Sequence, residues 1–244
     1  MNFPVQIDLF GQKIYLHFIM ECLAFFIGIR YYYFIKKRQK NSVISDQNRL
    51  WILLGAMVGA LLGSRIIANL ETPELLGKLS LIEMYQNKTV LGGFLGGLFG
   101  VEITKYFIGE KQSSGDLYVL PIILALFIGR IGCFSMGVYE PTHGIETSFF
   151  TGMDLGDGKL RHPIMLYEMF FLLLLAIFFI SIRHQKLENG LRFKIFMLAY
   201  FSFRFFMEFL KPSHPIACNL SIIQWCAIFI WLYYGYYFYK KHKL

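Results

Sequence analysis

The sequence predicts an all-α polytopic integral membrane protein, a helical bundle with about seven transmembrane helices. The chain of 244 residues is 56% hydrophobic and only 16% charged, whereas about a quarter of the residues in soluble domains are charged. Its apolar runs last roughly twenty residues, which is the length that a bilayer core about 30 Å thick requires of a helix. The runs lack the alternation of barrel strands, so we expect helices rather than a β-barrel.

Seven segments are long and apolar enough to be spans. We expect helices over residues 14–35, 49–70, 89–108, 117–137, 164–182, 191–210 and 221–239. The second and third spans repeat glycine at every fourth position, which places small residues on one helix face: Gly55, Gly59 and Gly63, then Gly92, Gly96 and Gly100, with Gly93 and Gly97 beside them. Such faces allow two backbones to approach in lipid, so we interpret the pattern as packing.

The distribution of basic residues predicts the orientation. With the N-terminus outside, the inner segments hold 14 lysines and arginines and the outer segments hold 6, as the positive-inside rule requires. We therefore predict an N-out, C-in protein. This topology accounts for most of the net charge of +8, and we expect no nucleic-acid partner because the basic residues form no single patch. We predict one domain over residues 1–244, with a longer outer loop at about 138–163 that is a favoured place for function.

The cysteines indicate neither a disulfide framework nor a metal site. No CxxC pair occurs. We interpret the cysteines as small apolar packing residues, three of them in spans and the last in an outer loop: Cys22, Cys133, Cys226 and Cys218. The sequence predicts no metal and no cofactor.

Four arginines fall inside the predicted spans. Arg30 lies near the inner end of its span and can extend to the interface, whereas Arg65, Arg130 and Arg204 lie deeper. A charged side chain at the centre of a bilayer costs at least about 2.5 kcal/mol and therefore indicates a functional site. At a rise of 1.5 Å per residue, these three lie about 20 to 24 Å above the inner edge.

Further polar residues are predicted at the same level: Glu21, Glu208 one turn after Arg204, and Arg161, His162, Tyr167 and Glu168 at the mouth of the fifth span. Structural ion pairs, above all Arg204 with Glu208, are the alternative. Arg130 has no carboxylate on its own helix, which favours an anionic ligand. Arginine binds phosphate oxygens through two parallel hydrogen bonds, so the sequence predicts a site for a phospholipid headgroup.

Three motifs in a fixed order carry a family resemblance. They are Gly-Arg-Ile-Gly-Cys-Phe at 129–134, Arg-His-Pro-Ile-Met-Leu-Tyr-Glu at 161–168 and Phe-Arg-Phe-Phe-Met-Glu-Phe at 203–209. Leu-Gly-Ser-Arg at 62–65, Leu16-His17 and Gln224 add weaker matches. Together these residues resemble the prolipoprotein diacylglyceryl transferases over nearly the whole chain.

The resemblance implies an enzyme that moves a diacylglyceryl group from phosphatidylglycerol to the cysteine thiol of a lipoprotein precursor. It implies a monomer that crosses the bacterial plasma (inner) membrane several times and binds the precursor's signal segment. In this family pattern Arg130 binds the lipid phosphate, and Arg204 is essential for turnover with Glu208 orienting it. Other matching positions are expected to bind substrate: Gly132, Arg65, Arg161, Tyr167, Glu168, Gln224 and His17.

The chain departs from the family pattern at four positions, where an asparagine, a glutamine, a histidine and a tyrosine are replaced by Cys133, Met165, Leu91 and, in the first span, Ile19. Because Leu91 removes a proposed proton acceptor, we predict that His162 or His143 is the base. Capping of the fifth span is the alternative role of His162. The departures leave open a non-catalytic or differently specific phospholipid-binding paralogue. An anion transporter ranks last because the chain shows no repeated halves.

Overall fold

The structure, a computed structural model, describes residues 3–9, 11–38, 44–73, 77–212 and 214–242. Within these ranges the helices are α1 Leu16–Arg38, α2 Asp46–Leu70, α3 Leu81–Gln86, α4 Val90–Ile108, α5 Val119–Met136, α6 Ile164–Ser181, α7 Leu191–Met207 and α8 Ile222–His242. Two antiparallel hairpins pair β1 Gln6–Leu9 with β2 Gln12–Tyr15, and β3 Met153–Asp154 with β4 Leu160–Arg161.

The predicted all-α membrane fold is confirmed. A long helix occupies each of the seven predicted ranges. Among the described residues, five helices are long and apolar enough to cross a membrane: α1, α2, α4, α6, and α5 with its flanking 3-10 turns. The helix α7 has 17 residues, and α8 ends in a run of tyrosines and lysines. Seven spans and the N-out, C-in orientation therefore stay predictions.

Two hairpins and a short helix lie outside the sequence prediction. The hairpin β1–β2 precedes α1, so residues 14 and 15 are strand rather than the start of a span. Its connection includes Gly11 at φ +80°, a value that glycine adopts without steric cost. The helix α3 lies in the predicted loop 71–88 and begins with a reciprocal capping pair of Ser80 and Glu83. The hairpin β3–β4 lies in the predicted outer loop 138–163.

The chain groups into two compact units, and each is described by itself. The first contains Met1–Lys40, Gly115–Phe196 and Phe209–Pro212; the second contains Asn41–Ser114, Met197–Glu208 and Ser213–Leu244. Thus α1, α5 and α6 belong to the first unit and α2, α4 and α8 to the second. The prediction of one domain stays a prediction.

In the first unit, α5 packs against both α1 and α6. The approach to α1 is close at Gly132, where a Cβ atom would lie 3.0 Å from Met20 Cβ and 3.1 Å from the His17 carbonyl oxygen. The end of α5 is held by the N-terminal segment, because Val5 N donates to the Ser135 carbonyl at 2.8 Å. The polar residues at this end of α5 are thereby fixed beside the start of α1.

In the second unit, α2 and α4 meet along the predicted glycine faces, which confirms the packing interpretation. A Cβ atom at Gly59 or Gly63 would overlap the carbonyl of Gly96 or Gly92, so the backbones themselves are in contact. Gly97 is different, because a Cβ atom there would make only ordinary contacts at 3.6 Å. Side chains connect α4 to α8, where the exposed rings of Phe99 and Phe229 lie 5.7 Å apart.

Candidate functional site

A buried ion pair joins α5 to α6 in the first unit. Nε of Arg130 donates to Oε1 of Glu168 at 2.9 Å, and the two side chains are 6% and 1% exposed. Removing an ion from water costs several kcal/mol unless it is closely paired and hydrogen-bonded, so each residue allows the other to be buried. Sequence reasoning noted correctly that α5 carries no carboxylate for Arg130, but it missed the partner because that partner lies on another helix.

The other edge of the Arg130 guanidinium faces neutral polar groups. Its Nη1 lies 3.5 Å from Cys133 Sγ and 3.4 Å from Thr142 Oγ1. The contact with the Thr142 oxygen is at the long limit of hydrogen bonding, whereas 3.5 Å is an ordinary distance to the larger sulfur atom. A guanidinium has five N–H donors in one plane, so the ion pair fixes that plane while the Nη edge is directed at a thiol and a hydroxyl.

His17 reaches the same end of the first unit from α1. Its Nδ1 lies 3.6 Å from Glu140 Oε2, and its Nε2 lies 3.9 Å from Glu21 Oε2. Glu140 follows α5, and its Oε1 accepts from Thr142 Oγ1 at 3.2 Å. Glu140, Thr142 and Cys133 therefore surround His17 and the Nη edge of Arg130. His17 was expected at the site from the sequence, whereas Glu140 and Thr142 were not.

His162 and Tyr167 form a second polar group, at the start of α6. His162 Nδ1 lies 3.1 Å from the Tyr167 hydroxyl, and that hydroxyl also forms a hydrogen bond with Thr151 Oγ1. The alternative role of His162 as a helix cap is wrong, because Pro163 occupies the cap position and α6 has no side-chain cap hydrogen bond. The His162 ring is instead oriented by Tyr167.

Arg161 is bound within its own loop. Its Nη2 and Nε lie 2.7 and 2.9 Å from Asp157 Oδ2, and Nη2 lies 3.7 Å from Glu146. The hydrogen bond from Arg161 holds the pKa of the Asp157 carboxyl below its ordinary value, and the same bond raises the pKa of Arg161. These contacts stabilise the β3–β4 hairpin, which gives Arg161 a structural role in addition to the predicted one.

Arg204 and Glu208 lie in the second unit, where both are buried, at 3% and 2% exposed. Arg204 is in the last turn of α7. Glu208 begins a 3-10 turn that runs to Leu210, so the helix tightens between the two residues. The burial of both ionisable side chains agrees with the sequence-based selection of this motif.

Gln224 connects two elements of the second unit. Its Oε1 accepts from Ser221 N at 2.9 Å, Ser221 Oγ accepts from Gln224 N at 3.3 Å, and its Nε2 donates to the Phe205 carbonyl at 3.3 Å. The first two bonds form a capping box at the start of α8. Gln224 therefore has a structural role in the start of α8 beside its predicted substrate contact.

Arg65 lies near the end of α2, also in the second unit. Its guanidinium carbon lies 5.0 Å from the centre of the Tyr85 ring, a cation–π contact, and its Nη1 lies 3.4 Å from Ser64 Oγ. Asn69 supports this region by donating to the carbonyls of Arg65 and Met84, both at 2.9 Å. This group was not predictable from α2 alone, because Tyr85 and Met84 come from a separate segment.

The residues that depart from the family pattern fit their surroundings. Leu91 and Met165 are fully buried, each in the apolar core of its own unit, and Cys133 contacts Arg130 through its thiol. A buried polar residue at either core position would need a hydrogen-bond partner. The apolar substitutions are therefore compatible with the packing around them.

The fold and these sites define a class: a polytopic helical membrane protein with buried arginines and carboxylates near the ends of its helices. The family model described as prolipoprotein diacylglyceryl transferase matches residues 4–239. The chain belongs to this family, which confirms the resemblance read from its motifs.

Curated relatives agree with this assignment over most of their length. A protein of Ehrlichia ruminantium (strain Welgevonden) is 32% identical over 221 residues, covering 84% of this chain and 83% of the relative. One from Clostridium tetani (strain Massachusetts / E88) is 26% identical, covering 93% and 92%, and one from Campylobacter hominis is 25% identical, covering 93% and 86%. Each carries the name phosphatidylglycerol–prolipoprotein diacylglyceryl transferase.

Proposed function

We propose that this protein transfers a diacylglyceryl group from phosphatidylglycerol to the cysteine thiol of lipoprotein precursors. Membership of the family and the names of the relatives support this transferase activity in lipoprotein biosynthesis. The observation that carries the proposal is the buried Arg130–Glu168 pair, which holds the arginine with its Nη1 atom directed at a thiol and a hydroxyl. A phosphate oxygen is a stronger acceptor for this donor than a thiol or a hydroxyl.

Arg130 acts on the leaving group in this proposal. The acceptor sulfur forms a bond to a glyceryl carbon, the carbon–oxygen bond to phosphate breaks, and glycerol phosphate leaves with the electron pair. Negative charge increases on that phosphate as the bond breaks, so a fixed guanidinium stabilises the transition state. Glu168 holds the guanidinium in place before the lipid arrives, which reduces the reorganisation needed during the reaction.

Arg204 is proposed to be essential for turnover, with Glu208 orienting it. Both side chains are buried in the second unit, and a carboxylate near a buried arginine fixes its charge and its direction. The motif Phe-Arg-x-x-x-Glu-Phe that contains them supports this role through the family resemblance. Arg65, stacked on Tyr85, is proposed to contact the lipid headgroup.

His162 is proposed to accept the proton of the acceptor thiol. When its Nδ1–H donates to the Tyr167 oxygen, Nε2 carries the lone pair and is the basic nitrogen. Tyr167 then selects the tautomer, and Thr151 fixes the tyrosine hydroxyl. His143, whose Nδ1 lies 2.8 Å from the Glu140 carbonyl, is the alternative base.

Family membership alone does not specify the membrane, the oligomeric state or the substrate contacts. The protein is a multi-pass membrane protein of a bacterial enzyme family, and we place it in the plasma (inner) membrane as a monomer that binds the signal segment of the precursor. We propose that its predicted substrate contacts act alongside the structural roles described above: Gly132, Arg161, Tyr167, Glu168, Gln224 and His17.

The proposal is tested with membranes that contain the protein, phosphatidylglycerol and a peptide bearing the lipoprotein cysteine motif. Mass spectrometry is expected to show a thioether-linked diacylglyceryl peptide, and a peptide with serine in place of cysteine is expected to remain unmodified. Complementation of cells depleted of their own transferase, with Arg204→Ala as control, tests the same activity in vivo. No conversion by correctly folded protein would overturn the proposal.

A phospholipid-binding paralogue without this chemistry is the second candidate, because Leu91 and Ile19 place apolar side chains where the family pattern has a histidine and a tyrosine. Two variants separate the candidates. A binding protein would retain cellular function with Arg204→Ala and lose lipid binding with Arg130→Ala, whereas an enzyme would lose activity with either.

A further inference from the structure

Three side chains with metal-ligand chemistry converge at one end of the first unit. His17 lies in the first turn of α1, Cys133 in the last turn of α5, and Glu140 in the loop that follows. An imidazole nitrogen, a thiol sulfur and a carboxylate oxygen from these residues all lie within 4.8 Å of one another. The sequence predicted no metal because the ligands come from three segments and no local ligand spacing connects all of them.

The distance between the histidine and the glutamate suits a shared ion. Zinc binds nitrogen and oxygen at about 2.0–2.1 Å and sulfur at about 2.3 Å, so tetrahedral ligand atoms lie roughly 3.3–3.6 Å apart. His17 Nδ1 and Glu140 Oε2 are separated by 3.6 Å, which is longer than a hydrogen bond. Their separation is thus compatible with two ligands of one ion.

Neighbouring groups orient both of these ligands. Thr142 Oγ1 donates to Glu140 Oε1, which leaves Oε2 directed towards His17. The second nitrogen of His17, Nε2, faces the carboxylate of Glu21 at 3.9 Å. Metal-binding histidines usually donate their other N–H to a carboxylate or carbonyl, and metal-binding carboxylates are themselves hydrogen-bonded. Glu140 has this hydrogen bond, whereas Glu21 faces His17 as a nearby charge beyond hydrogen-bond distance.

The charges also balance. A zinc ion bound by the Cys133 thiolate and the Glu140 carboxylate forms a neutral centre. The adjacent Arg130, whose Nη1 lies 3.5 Å from Cys133 Sγ, is paired with Glu168. Arg130 would then donate to a metal-bound thiolate without adding net charge to the site. Sulfur and imidazole ligands favour zinc over magnesium or calcium.

We propose that His17, Cys133 and Glu140 form a zinc site with three protein ligands. Zinc sites with three protein ligands keep a fourth position for water or another ligand. Cys133 supplies the soft ligand, and it stands where the family pattern has an asparagine. The proposed site therefore depends on a position where this chain departs from the family pattern. It adjoins Arg130 and includes His17, both of which belong to the proposed transferase site, but metal binding can be measured without transferase activity.

Metal binding by the full-length protein in detergent tests the site. The protein is purified through a tag without histidines, stripped with a chelator and titrated with zinc or cobalt. We expect stoichiometric zinc by mass spectrometry of the metal. Cobalt is expected to give tetrahedral ligand-field bands together with a thiolate-to-cobalt charge-transfer band. The Cys133→Ser variant is expected to lose that band, and His17→Ala and Glu140→Gln to weaken zinc binding by at least about tenfold.

Matched variants control for folding and for adventitious binding. Cys22→Ser, His184→Ala and Glu102→Gln change the same residue types elsewhere, and we expect them to bind zinc as the unmodified protein does. Cys133→His supplies a nitrogen ligand, so it is expected to keep stoichiometric zinc and lose the charge-transfer band. The proposal is overturned if monodisperse protein binds no zinc, or if Cys133→Ser and Glu140→Gln bind it as tightly as the controls.

Discussion

Glu168 of α6 accepts a hydrogen bond from Arg130 of α5 at 2.9 Å, with both side chains buried. Replacing Glu168 by glutamine would remove the negative charge of this partner from the buried arginine. Removing one partner of a buried ion pair costs about 3–5 kcal/mol, so we expect Glu168→Gln to lower the thermal unfolding temperature in detergent clearly. The ion pair of exposed Glu102 with half-buried Lys105 at 3.6 Å provides the control, and Glu102→Gln is expected to change the unfolding temperature little. Equal stability of the two variants would contradict the structural role of the pair.

The same arginine is predicted to be irreplaceable by lysine. Lysine retains the charge but cannot bind Glu168 through one edge and a phosphate through the other. We expect Arg130→Lys to reduce the conversion of the peptide bearing the lipoprotein cysteine motif by at least about tenfold at limiting phosphatidylglycerol. The replacement of exposed Arg183 by lysine is the matched control. A wild-type rate with Arg130→Lys at every lipid concentration would remove phosphate binding from the role of Arg130.

The backbone contact between α2 and α4 predicts a difference between neighbouring glycines. Gly59→Ala adds a Cβ atom that overlaps a carbonyl of α4, whereas Gly97→Ala adds one at ordinary contact distance. Overpacking typically costs about 1–3 kcal/mol, so Gly59→Ala is expected to unfold at a lower temperature than Gly97→Ala. Calorimetry or a thiol-reactivity melt in detergent measures this difference, and reversed stabilities would show that the helices are not in backbone contact.

Acid is predicted to weaken the β3–β4 hairpin. The pKa of Asp157 is lowered because Arg161 donates to its carboxylate, so the stabilisation is fully present above the ordinary aspartate pKa. It is lost as the pH falls through the lowered value, because the carboxyl is then protonated in the folded hairpin. Hydrogen exchange of residues 153–161, corrected for its intrinsic pH dependence, is expected to accelerate there. Asp157→Asn is expected to abolish this acid dependence; an identical profile in both proteins would refute the explanation.

His162 is predicted to contribute to proton transfer. General-base catalysis typically accounts for factors of about 10²–10⁴, so His162→Ala is expected to lower the single-turnover rate within that range. Tyr167→Phe is expected to lower the single-turnover rate less, because the histidine remains and loses only the hydrogen bond that selects its tautomer. His184→Ala, beyond the opposite end of α6, serves as the control. An unchanged rate in His162→Ala would favour His143 as the base.

Much of the fold was predictable because its determinants are local. Apolar runs of about twenty residues predicted the seven long helices, and glycines at every fourth position predicted the contact of α2 with α4. The capping residues Ser80 and Glu83 were a readable signal for α3 that the sequence analysis did not use. The β1–β2 hairpin was harder, because its apolar residues continue directly into α1.

The candidate site was predictable residue by residue but not as a geometry. Arg130 and Arg204 were predicted because a charged side chain inside a membrane span is energetically costly, and both side chains are buried. The partners of Arg130 come from other segments, and helical periodicity within one segment says nothing about them. The double roles of Gln224 and Arg161 were missed for the same reason, since a motif identifies a residue without its contacts.

The contact of α2 with α4 also excludes one route by which lipid could enter the protein. Since the glycine faces bring the two backbones together without intervening side chains, the space between these helices is narrower than an acyl chain. An acyl chain therefore cannot pass from the bilayer between α2 and α4. A phospholipid that moves between the bilayer and the protein must therefore enter and leave between other helices.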